Sequence, residues 1–251
     1  MVIKKTQQKK LKEEIKIDIE SKEESKNIIS EKTKMADVIL SNNKLMFVLP
    51  RFGLKFGMGE KNVKELCEEA DVPSSLFLLV CNVYSDPEYK PSQAALHSFD
   101  LADLLVYLHN SHSDYLDVRI PAVQRKIMKL AELCGNKGTV LIKFFDEYIR
   151  EVKKHFSYEE SKVFPYIEKL LTNGKQKDFN IATYQKNHTD IEDKLTELKN
   201  ILIKYVPQVS LEVHREALLD LFLFEDDLDR HSLIENRIVV PLVSEIENTT
   251  K

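Results

Sequence analysis

Between residues 97 and 247 apolar side chains return every three or four positions over long stretches, the period of an amphipathic α-helix. The pattern predicts four long helices. The first spans 99–133, with a kink at Pro121, and stops at Gly135-Asn136-Lys137-Gly138. The second spans 139–171 and ends at Asn173-Gly174, a C-terminal signal. The third spans 181–204 and stops before Pro207. The fourth covers 211–246, with Ser210 as its expected N-cap. Four such helices on short loops predict an all-α, up-down-up-down bundle.

The pattern differs upstream. Residues 35–90 form a small helical module: an apolar cluster of Leu45, Met46, Val48 and Leu49 lies just before Pro50. A turn segment at 51–60 follows, and it holds three of the six glycines in the chain. Val63, Leu66, Cys67 and Ala70 then keep helical spacing, and Pro73 closes that helix or opens the next. Asp86, Pro87, Pro91 and Ser92 mark a linker to the bundle. Residues 1–34 carry ten Lys against six Glu and one Asp, with too few apolar residues to bury a face, and read as a charged, solvated, disordered tail.

Composition narrows the functions available. No run approaches the ~20 apolar residues of a membrane helix. No secretory signal is evident, and Cys67, Cys81 and Cys134 are too scattered for a disulfide framework, so a cytoplasmic setting is expected. The net charge of -4 argues against a nucleic-acid partner. Residues 62–84 could be read as a helix-turn-helix, but Glu60, Glu65, Glu68, Glu69 and Asp71 make the segment acidic where phosphate binding needs Lys and Arg. Few glycines and no Trp turn the reading away from phosphate-binding loops.

The chemistry sits in a repeat. His155 and Glu159 are followed by Pro165, and His231 and Glu235 by Pro241; both follow the pattern His-x-x-x-Glu-x5-Pro. Residues four apart share a helix face, so each pair sets an imidazole beside a carboxylate. His112 on the first helix and His188 on the third complete a set of four His and two Glu, with a ligand from every helix. That set suits two iron ions bridged by the carboxylates and by an oxo or hydroxo group; manganese or zinc fits the same donors. His109, three residues before His112, is the alternative on that helix or a residue behind it, and His97 and His214 read as surface. Phe145, Phe156, Leu221 and Phe222 are the candidate apolar liners of the site.

These motifs resemble hemerythrin-like (HHE cation-binding) proteins, and most closely the iron–sulfur cluster repair family of di-iron proteins. The resemblance rests on His112-Ser113-Asp114-Tyr115-Leu116 with Pro121, on His155 to Glu160 with Phe164-Pro165, on Asn187-His188, and on His231, Glu235, Asn236 and Pro241. It implies a hemerythrin-like four-helix bundle in which Glu159 and Glu235 bridge the two irons. The module adds Phe52-Gly53-Leu54-Lys55-Phe56, similar to the start of that family's N-terminal domain, but Gly57-Met58 stands where the family has Cys-Cys, which removes any thiol-pair chemistry. The implied function is nitrosative or oxidative stress response, by iron donation to iron–sulfur client proteins or by reaction with nitric oxide or peroxide. The other reading is a hemerythrin-like binder or sensor of dioxygen or nitric oxide without turnover. Catalytic turnover, the client protein and the oligomeric state are left open by the sequence.

Overall fold

The computed structural model describes residues 29–173, 179–185 and 190–249. The N-terminal part is built from short helices: α1 (Met35–Ser41), α2 (Leu45–Arg51), α3 (Val63–Glu69) and α4 (Ser74–Ser85). Asn62 starts α3 through a capping box, its side chain accepting from the Glu65 N–H while the Glu65 carboxylate accepts from the Asn62 N–H. The expected linker is not wholly irregular, because Ser92 caps the short helix α5 (Gln93–Leu96). Of the charged, solvated tail expected for 1–34, residues 1–28 lie outside the described residues, whereas Ile29 is buried in the core and Lys34 pairs with Asn62 in an isolated bridge.

The bundle follows as rods interrupted by wide turns. The first rod is α6 (Leu101–Asp114), a π-helical turn at Tyr115–Arg119, and α7 (Ile120–Leu133). The second is α8 (Asn136–Tyr158), a π turn at Glu159–Val163, and α9 (Phe164–Asn173). The third comprises α10 (Ile181–Gln185) and α11 (Asp190–Tyr205). The fourth is α12 (Leu211–Ile234), a π turn at Glu235–Val239, and α13 (Val240–Thr249). Helix α7 packs on α8 and α12, and α11 packs on the same two, which closes a four-helix ring.

The three π turns share one cause. Each precedes a proline at the second position of the next helix: Pro121, Pro165 or Pro241. Proline lacks an N–H and its ring collides with the carbonyl four residues back. Widening the turn by one residue moves that carbonyl aside, and the N–H groups of Ile120, Phe164 and Val240 bond five residues back, to Tyr115, Glu159 and Glu235. At Pro121, where the sequence predicts a kink, the helix carries a π turn. Two smaller expectations are also corrected. Helix α8 begins at Asn136 because only Gly135, at φ 56°, has to leave helical geometry. Ser210 precedes α12, but its side chain makes no capping bond.

Core-facing stripes explain the packing. Helix α8 buries Leu141, Phe145, Tyr148, Val152 and Phe156 along one face. On α12 the stripe begins apolar with Val213, Ala217, Leu221 and Phe224, then turns polar with Asp227 and His231. The apolar residues fall into two clusters. One joins the N-terminal helices to α6, α9, α10 and α13, and the other fills the space between α7, α8, α11 and the first half of α12. His112, Glu159, His231 and Glu235 belong to neither and are themselves buried.

Candidate metal centre

Four groups converge between the rods. One ligand atom from each of His112, Glu159, His231 and Glu235 lies within 4.8 Å of all the others, and all four residues are buried. His112 comes from the last turn of α6 and His231 from the last turn of α12. Glu159 and Glu235 are the first residues of two π turns. The same i, i+4 relation that puts His231 beside Glu235 puts His155 beside Glu159, so each helix delivers its pair from one face.

The contacts are short and heteroatom-rich. His112 Nε2 lies 3.2 Å from His231 Nε2 and 3.2 Å from Glu159 Oε2. His231 Nε2 is 3.3 Å from Glu235 Oε1. His155 Nε2 approaches the other oxygen of Glu159 at 3.0 Å and keeps slight solvent contact at the edge of the cluster. The Tyr184 hydroxyl donates to that same Oε1 at 2.6 Å. Behind His112, the Glu160 carboxylate meets Nδ1 at 2.7 Å, and its second oxygen reaches the exposed His109 at 3.0 Å. Aromatic rings close the site: Phe156 stacks on His112 at 4.2 Å, Phe164 covers it at 5.4 Å, and Tyr115 meets His231 edge-on at 5.5 Å.

Burial and proximity prevent all four groups from charging together. Burial opposes a charge on His112, but the hydrogen bonds it donates to Glu159 and Glu160 outweigh it and raise its pKa to about 9. Glu159 is also opposed by burial, yet the two imidazoles that bond it hold it well below the usual carboxylate range. Burial and the neighbouring Glu159 charge push Glu235 well above that range. Burial and the charged His112 drive His231 well below its ordinary value.

This donor set fits a cation. Imidazole nitrogens and carboxylate oxygens converge in a space lined by aromatic rings, where polar groups are costly unless something satisfies them. His231 Nδ1 is buried and has no hydrogen-bond partner among the described residues.

The sequence-predicted residues are placed as follows. His112, Glu159, His231 and Glu235 meet, and His155 adjoins them through Glu159. His188 lies outside the described residues. His109 points to solvent, so His112 is the residue that faces the cluster. His97 is half exposed and pairs with Glu245 at 3.3 Å, whereas His214 meets the Leu202 carbonyl at 2.9 Å and is half-buried rather than on the surface. Phe222 is corrected: it is 43% exposed and packs under Lys199, so it does not line the site. Sequence reasoning assigned no role to Glu160 or Tyr184; the doubled Glu after His155 was the available signal for Glu160, and nothing local marked Tyr184.

The family model for the hemerythrin HHE cation-binding domain matches residues 101–243, more than half of the chain. No curated protein and no solved structure gives a match.

Proposed function

We propose that this chain, which belongs to the hemerythrin HHE cation-binding family, holds two iron ions and serves in the cytoplasm as an iron–sulfur cluster repair-type protein of nitrosative or oxidative stress. The observation that supports this reading is the buried meeting of His112, Glu159, His231 and Glu235. Glu159 and Glu235 would hold the metal through their carboxylate oxygens and His112 and His231 through Nε2, with His155 and His188 completing the set. Iron bound there supplies redox chemistry toward nitric oxide, peroxide or dioxygen, and is the cargo where the client is an iron–sulfur protein.

The chain's own groups have separate tasks. Glu160 accepts from His112 Nδ1, which fixes the ring and leaves Nε2 toward the cluster. Tyr184 holds one oxygen of Glu159 and limits its rotation. Phe156 and Phe164 stack against His112 and keep water away. That apolar cover also favours the second reading, a reversible binder of dioxygen or nitric oxide.

Metal analysis and visible absorption of anaerobically purified protein, before and after air, test the proposal. The expected result is about two irons per chain, with charge-transfer bands developing on oxidation. Purified protein without iron, or unchanged metal binding in a His155→Ala, His231→Ala double variant, overturns it. Rapid iron loss to a chelator supports donation, whereas a stable oxygenated chromophore favours the reversible binder.

A further inference from the structure

We infer that Arg51, on the N-terminal module, is a positioning residue for the metal centre: it ties the helix that carries His112 to the helix that carries His231 and so sets how firmly the site grips its metal. The inference rests on the metal reading above and concerns a residue that no ligand motif includes.

Arg51 is the last residue of α2 and is 1% exposed. A guanidinium has five N–H donors, and all five are used here. Nε and Nη2 donate to Asp114 Oδ2 at 3.1 and 2.9 Å. Nη1 and Nη2 donate to the two oxygens of Asp227 at 3.0 and 2.6 Å. Nη1 also donates to the Tyr84 hydroxyl at 2.7 Å, which itself donates to Asp227 at 2.9 Å. The guanidinium carbon lies 4.4 Å over the Tyr115 ring.

The location of those partners makes this more than an anchor for the module. Asp114 is two residues beyond His112, and Asp227 is one helical turn before His231. Tyr115, under the guanidinium, donates to the Asp227 carbonyl at 3.0 Å and meets the ring of His231. A single planar fork thus spans the two helices whose Nε2 atoms stand 3.2 Å apart. A buried ion pair of this kind adds little net stability, because desolvation offsets the attraction. It does impose direction, because a bidentate fork fixes both carboxylates.

The test uses the full-length chain loaded with cobalt(II), whose d–d absorption reports ligand geometry and whose release to a chelator gives a rate. Arg51→Met is expected to speed release by ~10- to 100-fold and to alter the d–d bands while the protein remains folded by circular dichroism. Asp114→Asn, which breaks only the α6 side, covers the case in which Arg51→Met does not fold, and the same direction of change is expected. Leu45→Ala weakens the module core without touching the fork and should leave the cobalt spectrum and release rate near wild type. If folded Arg51→Met or Asp114→Asn releases cobalt at the wild-type rate, or Leu45→Ala accelerates it equally, the positioning role is overturned. A wild-type chain that binds no cobalt overturns instead the metal reading on which it rests.

Discussion

His112 meets a carboxylate at each ring nitrogen, Glu160 at Nδ1 and Glu159 at Nε2, and this arrangement fixes how the site responds to pH. Its folded-state value of about 9 lies above the ordinary 6.5, so in the metal-free chain its contribution to stability is full below 6.5 and is lost as pH rises through about 9. A metal must displace that proton, and a second one from Glu235, whose value is also raised. Metal uptake near neutral pH is therefore expected to release about two protons, and apparent affinity should climb with pH up to at least about 9. Calorimetric titration of metal into metal-free protein in buffers of different ionisation enthalpy measures the release directly; affinity independent of pH would show that His112 does not bind the metal. At this scale the sequence was informative only along one helix at a time. His231 and Glu235 could be paired by their spacing of four because a helix face is a local property. Tyr184 and Arg51 could not be found that way, since each acts on a residue of a different helix.

The wide turns carry the site's geometry at the level of elements. In the first, second and fourth rods a π turn begins six residues before a proline, at Tyr115, Glu159 and Glu235. Two of those positions hold the buried carboxylates, and the third holds the aromatic ring under Arg51. Deleting Lys162, inside the second π turn, together with Pro165→Ala, which removes the ring that demands the wider turn, is expected to return the segment to regular α-helix. Helix content should survive, because the flanking stripes of α8 and α9 still face their cores, but Glu159 and Glu160 would turn relative to His112 and metal affinity should fall at least ~10-fold. Circular dichroism with a metal titration checks both; unchanged affinity would mean that the bulge does not orient the carboxylates. The four-rod architecture was readable from apolar periodicity, and the prolines were visible as punctuation. Their effect was not, because a proline alone does not choose between a kink and a widened turn.

At the scale of the whole molecule, the same apolar cluster runs from Val80 and Cys81 of α4 through Leu104 and Leu108 of α6 to Val243 of α13. Arg51 adds a buried polar tie between α2 and the bundle. A core that crosses from the N-terminal helices into the bundle should make the two unfold together. The thiols provide an independent probe of the N-terminal side: burial pushes Cys67 up to about 12 and Cys81 well above its ordinary 9.0. At pH 8 a thiol with that value is about one part in 10⁴ thiolate, so its reaction with a disulfide reagent reports opening of the module. In a denaturant titration, thiol reactivity and loss of helix are expected to share one midpoint. Leu108→Ala should lower both by the same amount, equivalent to about 2–5 kcal/mol for a leucine removed from a packed core. Saturating metal should raise both together, since a ligand that binds only the folded state stabilises everything that folds with it. Reaction of Cys67 or Cys81 at a denaturant concentration where the bundle helices are still intact would separate the module from the bundle, and with it any control of the metal centre exerted through Arg51.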